Sequence, residues 1–116
     1  MLVVSSEYKA GMRIMESVTR AFPSAERQAF LDPLLAVRHN QGWNADLVVC
    51  EYLLPIIDGI QLIKLLRQQN RDIVSVLLES DRGHSRDAGN LDIALLPDAE
   101  PLALRSAWEK ETEATR

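Results

Sequence analysis

The chain has one cysteine, Cys50, so no internal disulfide can form. The residue falls inside an apolar run, where a small buried hydrophobe is the expected role, and a reducing, cytoplasmic setting fits. No apolar stretch approaches the length of a membrane span, and the amino terminus lacks the basic region and sustained apolar core of a signal peptide. No Lys/Arg cluster stands out, and the formal net charge is -4. That balance gives no long-range attraction to nucleic acid or anionic membrane, so neither is expected as a partner of this domain alone. Nucleophile-elbow, P-loop and glycine-rich dinucleotide motifs are all missing. His39 and His84 have no second His or Cys at ligand spacing, so no metal site is expected from them.

What is present is an ordinary globular composition, 47% hydrophobic and 26% charged over 116 residues, enough for one core. The chain reads as a single domain over 1–116, either complete or the N-terminal part of a longer protein. Its organising stretch runs from Asp46 to Gly59, DLVVCEYLLPIIDG. Leu47 to Cys50 form a short apolar run without alternation, the mark of a parallel strand buried on both faces. The run stops at Glu51. Pro55 and Asp58-Gly59 then turn the chain into the amphipathic segment that starts at Ile60. In open α/β sheets ligands collect at the carboxyl ends of strands, which puts Glu51 in the privileged place.

The other elements alternate in the same way. Leu2 to Val4 predict a strand, and Ser5-Ser6-Glu7 a capped start to a helix ending near Phe22-Pro23. Arg27 to Leu31 predict an edge strand. Asp32-Pro33 predict a cap and first turn for a helix through Leu34, Leu35 and Val37 to about Gly42. Ile73 to Leu78 and Ile93 to Leu96 predict two more strands. Between them, Asp81 to Asn90 is polar, a loop or a short, weak helix. Asp98 and Pro101 open a last helix with Leu104, Ala107 and Trp108 inward, and Glu111 to Arg116 are expected to fray. Repeated β-α alternation implies a parallel sheet covered on both faces.

With these residues in view, the chain resembles the receiver domain of bacterial two-component response regulators. The resemblance rests on DLVVCEYLLPIIDG, on LVVSSE at Leu2 to Glu7 and on Leu95-Leu96-Pro97; the family's stretches read like DLVLLDxxMPxxDG, ILVVDDE and KP. It implies a doubly wound α/β fold with five parallel strands in the order 2-1-3-4-5 and, for this chain, a shortened fourth helix. It further implies a signalling module rather than an enzyme. By the same resemblance Glu51 stands where the family's aspartate accepts a phosphoryl group. Ser5 and Ser6 replace the acidic residues that help bind Mg²⁺, Glu79 replaces a Thr or Ser, and Leu96 replaces a lysine.

Those replacements imply a degenerate receiver, a pseudo-receiver, with no phosphorylation chemistry, no cofactor and no metal. Phosphoryl transfer needs a metal and a cation on the phosphoryl oxygens, and neutral hydroxyls are poor ligands for a hard divalent ion. Glu51 is open to two readings, an imitation of the phosphorylated state or a polar cap on a strand end. The family signals through its fourth helix, fifth strand and fifth helix, with an aromatic residue that corresponds here to Ile93. The surface that includes Ile93, Leu95, Leu102 and Leu104 is therefore the expected interaction face, for a partner protein, an attached output domain or a second copy. Alternatives are a Mg²⁺-dependent phosphoacceptor using Glu51, a residual metal site on Glu7, Glu51 and Glu79, and a small-ligand-binding domain of flavodoxin-like shape.

Overall fold

The apolar run at the centre of the chain forms strand β3 (Leu47–Glu51), flanked on both sides by parallel strands. The computed structural model describes residues 1–79 and 92–114. The remaining strands are β1 (Leu2–Val4), β2 (Gln28–Phe30), β4 (Val74–Leu78) and β5 (Ile93–Leu96), and the sheet order is β2-β1-β3-β4-β5. Among the described residues the helices are α1 (Tyr8–Ala21), α2 (Pro33–Trp43), α3 (Gly59–Gln69) and α4 (Pro101–Ala114). The doubly wound sheet and its strand order are as expected, including β2 at an edge. The segment expected to carry a shortened fourth helix, with Arg82, His84 and Arg86, lies outside the described residues.

Alternation along the strands divides the core in two. Leu2, Val4, Val48, Cys50 and Leu77 pack under α2 and α3. Val3, Leu47, Val49, Val76 and Leu78 pack under α1 and α4. A fully buried side chain of this size contributes about 1.5–3 kcal/mol, so the central strands anchor the sheet. Cys50 is fully buried; that burial first, and the carboxylates of Glu51 and Asp58 second, push its thiol well above its ordinary range. It is the inert residue that its position implied. No helix among the described residues is long and apolar enough to cross a membrane.

The helix signals are met unevenly. Asp32 accepts from the Leu34 N–H at 2.9 Å with Pro33 in the first turn, as expected. The inward face of α2 is made by Pro33, Ala36 and Asn40, which are buried, whereas Leu34 and Leu35 are about half exposed. Asn40 sets this phase. Its Oδ1 accepts from the buried Ala45 N–H at 2.6 Å and its Nδ2 donates to Gln69 Oε1 at 2.8 Å, so a polar side chain takes the inner position because every group on it is paired. Gln69 Nε2 in turn donates to Val37 O at 3.0 Å, which ties the ends of α2 and α3 together. Neither serine caps α1; its N-cap is Glu7, which makes no side-chain cap bond.

In α4, Leu104 is fully buried and joins the core with Ala107 and Trp108, whose ring meets Phe22 edge-on at 5.9 Å. Leu104 therefore drops out of the expected interaction face. Its spacing of three and four residues from Ala107 and Trp108 puts it on their side of the helix. The helix also continues to Ala114, through positions expected to fray.

Helix α3 sets the geometry at the carboxyl end of β3. Asp58 accepts from the Gln61 N–H at 2.8 Å and Gln61 Oε1 accepts from the Asp58 N–H at 2.9 Å, a reciprocal capping box. Gly59 follows because there is no room for a side chain: a Cβ there would lie 2.4 Å from the Glu51 carbonyl oxygen and 2.6 Å from Leu77 Cδ1. Gly59→Ala is expected to cost about 1–3 kcal/mol, as overpacked sites do. Urea unfolding would register it as a lower midpoint at unchanged slope, and an unchanged midpoint would refute the close contact.

Candidate functional site

The carboxyl ends of β3, β4 and β5, together with α1, open onto a crevice of about 360 Å³. Its wall includes Arg13 from α1, Glu51 and Tyr52 at the end of β3, Leu53, Glu79 after β4, and Asp98 after β5; Ala10, Ile14, Leu78 and Pro97 complete it. Strand register brings the two glutamates to the same end of the sheet. Glu51 pairs with Leu78, the Tyr52 N–H donates to Leu78 O at 3.3 Å, and the Glu79 N–H donates to Leu96 O at 2.9 Å. Glu51 and Glu79 thus share one crevice, as the fold required. Arg13 was not singled out from the sequence, and Asp98 only as a helix cap. Their place depends on where α1 and the β5–α4 turn cross the sheet, which residue spacing does not encode.

Glu51 reaches across the sheet to the β1–α1 junction. Its Oε1 accepts from the Ser6 N–H at 2.9 Å, and the Ser6 hydroxyl lies 3.4 Å away. The contact falls one residue ahead of the α1 N-cap, near the end of a helix where negative charge is favoured. The longer side chain of glutamate provides this reach. Ser5 is buried, and its hydroxyl donates to Glu7 O at 3.0 Å. It is also packed beneath α1: a Cβ on Gly11 would lie 2.6 Å from Ser5 Oγ.

This donor set does not fit Mg²⁺. The Ser5 hydroxyl is turned toward a main-chain carbonyl, Ser6 is engaged with Glu51, and a hard divalent ion demands several anionic or carbonyl oxygens in near-octahedral array. Among the described residues no group of three or more His, Cys, Asp or Glu side chains could hold a metal, so Glu7, Glu51 and Glu79 are not assembled as one. Leu96 is half-buried in the core beside α1 and α4. His39 lies between the rings of Phe30 and Trp43, at 5.3 and 5.1 Å, as part of an aromatic surface.

The remaining positions fall on the β5 side. Ile93 is half-buried against the core under α3, Leu95 is 42% exposed on β5, and Leu102 is 83% exposed on α4. At the other side of the crevice, the loop between β3 and α3 adds a feature with no sequence signal. Ile56 adopts φ 72°, and the Ile57 N–H donates to Pro55 O at 2.8 Å around it. This is the strained, left-handed form of the γ-turn, and for a β-branched residue it costs about 1–3 kcal/mol.

No family model and no curated protein match the chain. Solved structures do. A chemotaxis response regulator of Vibrio cholerae matches with TM-score 0.75 and 16% identity over 95% of each chain. The signal receiver domain of an HD domain-containing protein from Pseudomonas fluorescens matches with TM-score 0.73 and 22% identity, over 98% of this chain and 89% of that one. The receiver domain of AraT, a response regulator from Geobacillus stearothermophilus, matches with TM-score 0.73 and 20% identity, over 98% and 93%. The chain therefore has the fold of response-regulator receiver domains.

Proposed function

We propose that the chain is an atypical receiver domain that works as a phosphorylation-independent protein-interaction module in bacterial two-component signalling or transcriptional regulation. The single observation that carries this reading is the engagement of Glu51. At the phosphoacceptor position stands a carboxylate one methylene longer than aspartate, held on the Ser6 N–H at 2.9 Å. In-line attack tolerates little displacement of the nucleophile, and a carboxylate already committed to a main-chain donor has been moved from that line. The neutral Ser5 and Ser6, with Leu96 in place of a cation, remove the charges that phosphoryl transfer requires. The side chains of Glu51 and Glu79 in one crevice would repel a phosphoryl group further.

On this reading Glu51 holds the domain in one signalling state. The bond from Glu51 to Ser6 fastens β3 to the start of α1 without any modification. The input is then a partner protein or a small ligand, and the domain acts on a partner protein, an attached output domain or a second copy. One of the neighbouring folds is the receiver of an HD domain-containing protein, which supports covalent attachment as one arrangement. The proposed contact surface is the β5–α4 face, with Leu95 and Leu102 outward and Ile93 beside them.

Amide NMR titration with Mg²⁺ and then beryllofluoride tests the chemistry. A flat response at Ser5, Ser6, Glu51 and Glu79 is expected; shifts that cluster there and grow with beryllofluoride would overturn the reading. Sedimentation velocity tests the face. Wild type is expected to self-associate and Leu102→Asp to be monomeric with unfolding free energy changed by no more than about 0.5 kcal/mol, as at other exposed sites. Equal self-association of the two would reject Leu102 as a contact.

A further inference from the structure

The strained turn at Ile56 is confined to one short stretch of backbone. Leu54 on one side and Ile57 on the other turn down and pack on the core under α3. Outside them the Gly59 N–H donates to Tyr52 O at 2.8 Å, and Asp58 closes the capping box of α3. Pro55 and Ile56 are what is left between these anchors. The Ile56 side chain is 73% exposed and joins neither half of the core, so no packing holds it in place. Both neighbours are fixed, and the Pro55–Ile56 peptide plane is free to turn between them.

Two local effects of the same order oppose each other at that plane. A left-handed φ of 72° strains a β-branched residue and favours turning the plane over. The γ-turn hydrogen bond, from the Ile57 N–H to Pro55 O at 2.8 Å, favours keeping it. A half turn of the plane takes Ile56 from φ 72° to about −108°, inside the broad β region, and changes ψ of Pro55 by the same amount. The proline ring fixes φ but leaves ψ its helical and polyproline wells, which lie about a half turn apart. Proline therefore does not resist the motion. What is given up is one hydrogen bond on a loop whose Pro55 and Ile56 are exposed, where water takes the place of the lost partner.

We infer that the Pro55–Ile56 peptide is a two-state element, exchanging between the γ-turn and a relaxed form with Ile56 in the β region while Leu54 and Ile57 stay anchored. In the γ-turn Pro55 O is engaged by the Ile57 N–H. In the relaxed form that carbonyl faces the other side of the loop and the Ile57 N–H is released. The same loop carries Leu53 into the crevice wall, so a partner that meets this rim meets one of two main-chain faces and selects the one it fits. Only that use rests on the reading of the domain as a protein-interaction module; the exchange belongs to the isolated chain.

Amide NMR relaxation dispersion on the whole chain tests the inference. Exchange on the microsecond-to-millisecond scale is expected at Ile56 and Ile57, with Tyr52 and Gly59 silent. Ile56→Gly takes a left-handed backbone without strain and is expected to lower the relaxed form about tenfold or more relative to the γ-turn. Ile56→Pro, with φ fixed at about −65°, is expected to trap the relaxed form, its Ile57 amide falling at the shift that dispersion assigns to the second state. Flat dispersion at Ile56 and Ile57 in the wild type, or exchange that Ile56→Gly leaves unchanged, overturns the inference. Neither result bears on the beryllofluoride titration, so this inference and the reading of the domain fail separately.

Discussion

Main-chain contact between Gly59 and Glu51 is the constraint on which the carboxyl end of the sheet depends. The absence of a Cβ at residue 59 lets the first turn of α3 rest directly on the end of β3, close enough that a methyl group would meet the Glu51 carbonyl oxygen at 2.4 Å. The intervening loop then has both feet fixed, by the Gly59 N–H on Tyr52 O and by the Asp58–Gln61 box. A short loop with fixed feet has few backbone solutions. The positive φ of Ile56 is where the turn is completed, and the outward direction of Leu53 and Ile56 follows from the inward packing of Leu54 and Ile57.

The second constraint is how a half-buried carboxylate at the end of a buried strand is satisfied. Glu51 lacks a lysine beside it, because the corresponding end of β5 carries Leu96, which serves the core. Its partner is instead a backbone N–H at the β1–α1 junction, a donor that cannot titrate or diffuse away. One hydrogen bond thus holds the carboxylate to the β1–α1 junction at the rim of the crevice.

Most of the fold was legible in the sequence because it rests on short-range signals. The unalternating run at Leu47 to Cys50 marked the central strand, and Asp32-Pro33 marked a helix start. Glu51 and Glu79 could be paired in space because strand ends in a parallel sheet lie together. Three features escaped for separate physical reasons. The phase of α2 is set by Asn40, a polar residue buried only because Ala45 and Gln69 satisfy it, so apolar residues alone do not mark its inner face. Glu7 rather than a serine is the N-cap of α1, since Ser5 is drawn into the sheet and Ser6 is held by Glu51. Ile56 carries none of the glycine or asparagine that flags a left-handed backbone, and strain of that kind is visible only in three dimensions.

The packing of Ser5 against Gly11 couples the two positions. The serine hydroxyl occupies the space that a Cβ on Gly11 would need, 2.6 Å away, so a larger side chain at either position has to turn the other aside or lift the first turns of α1 from the strand end.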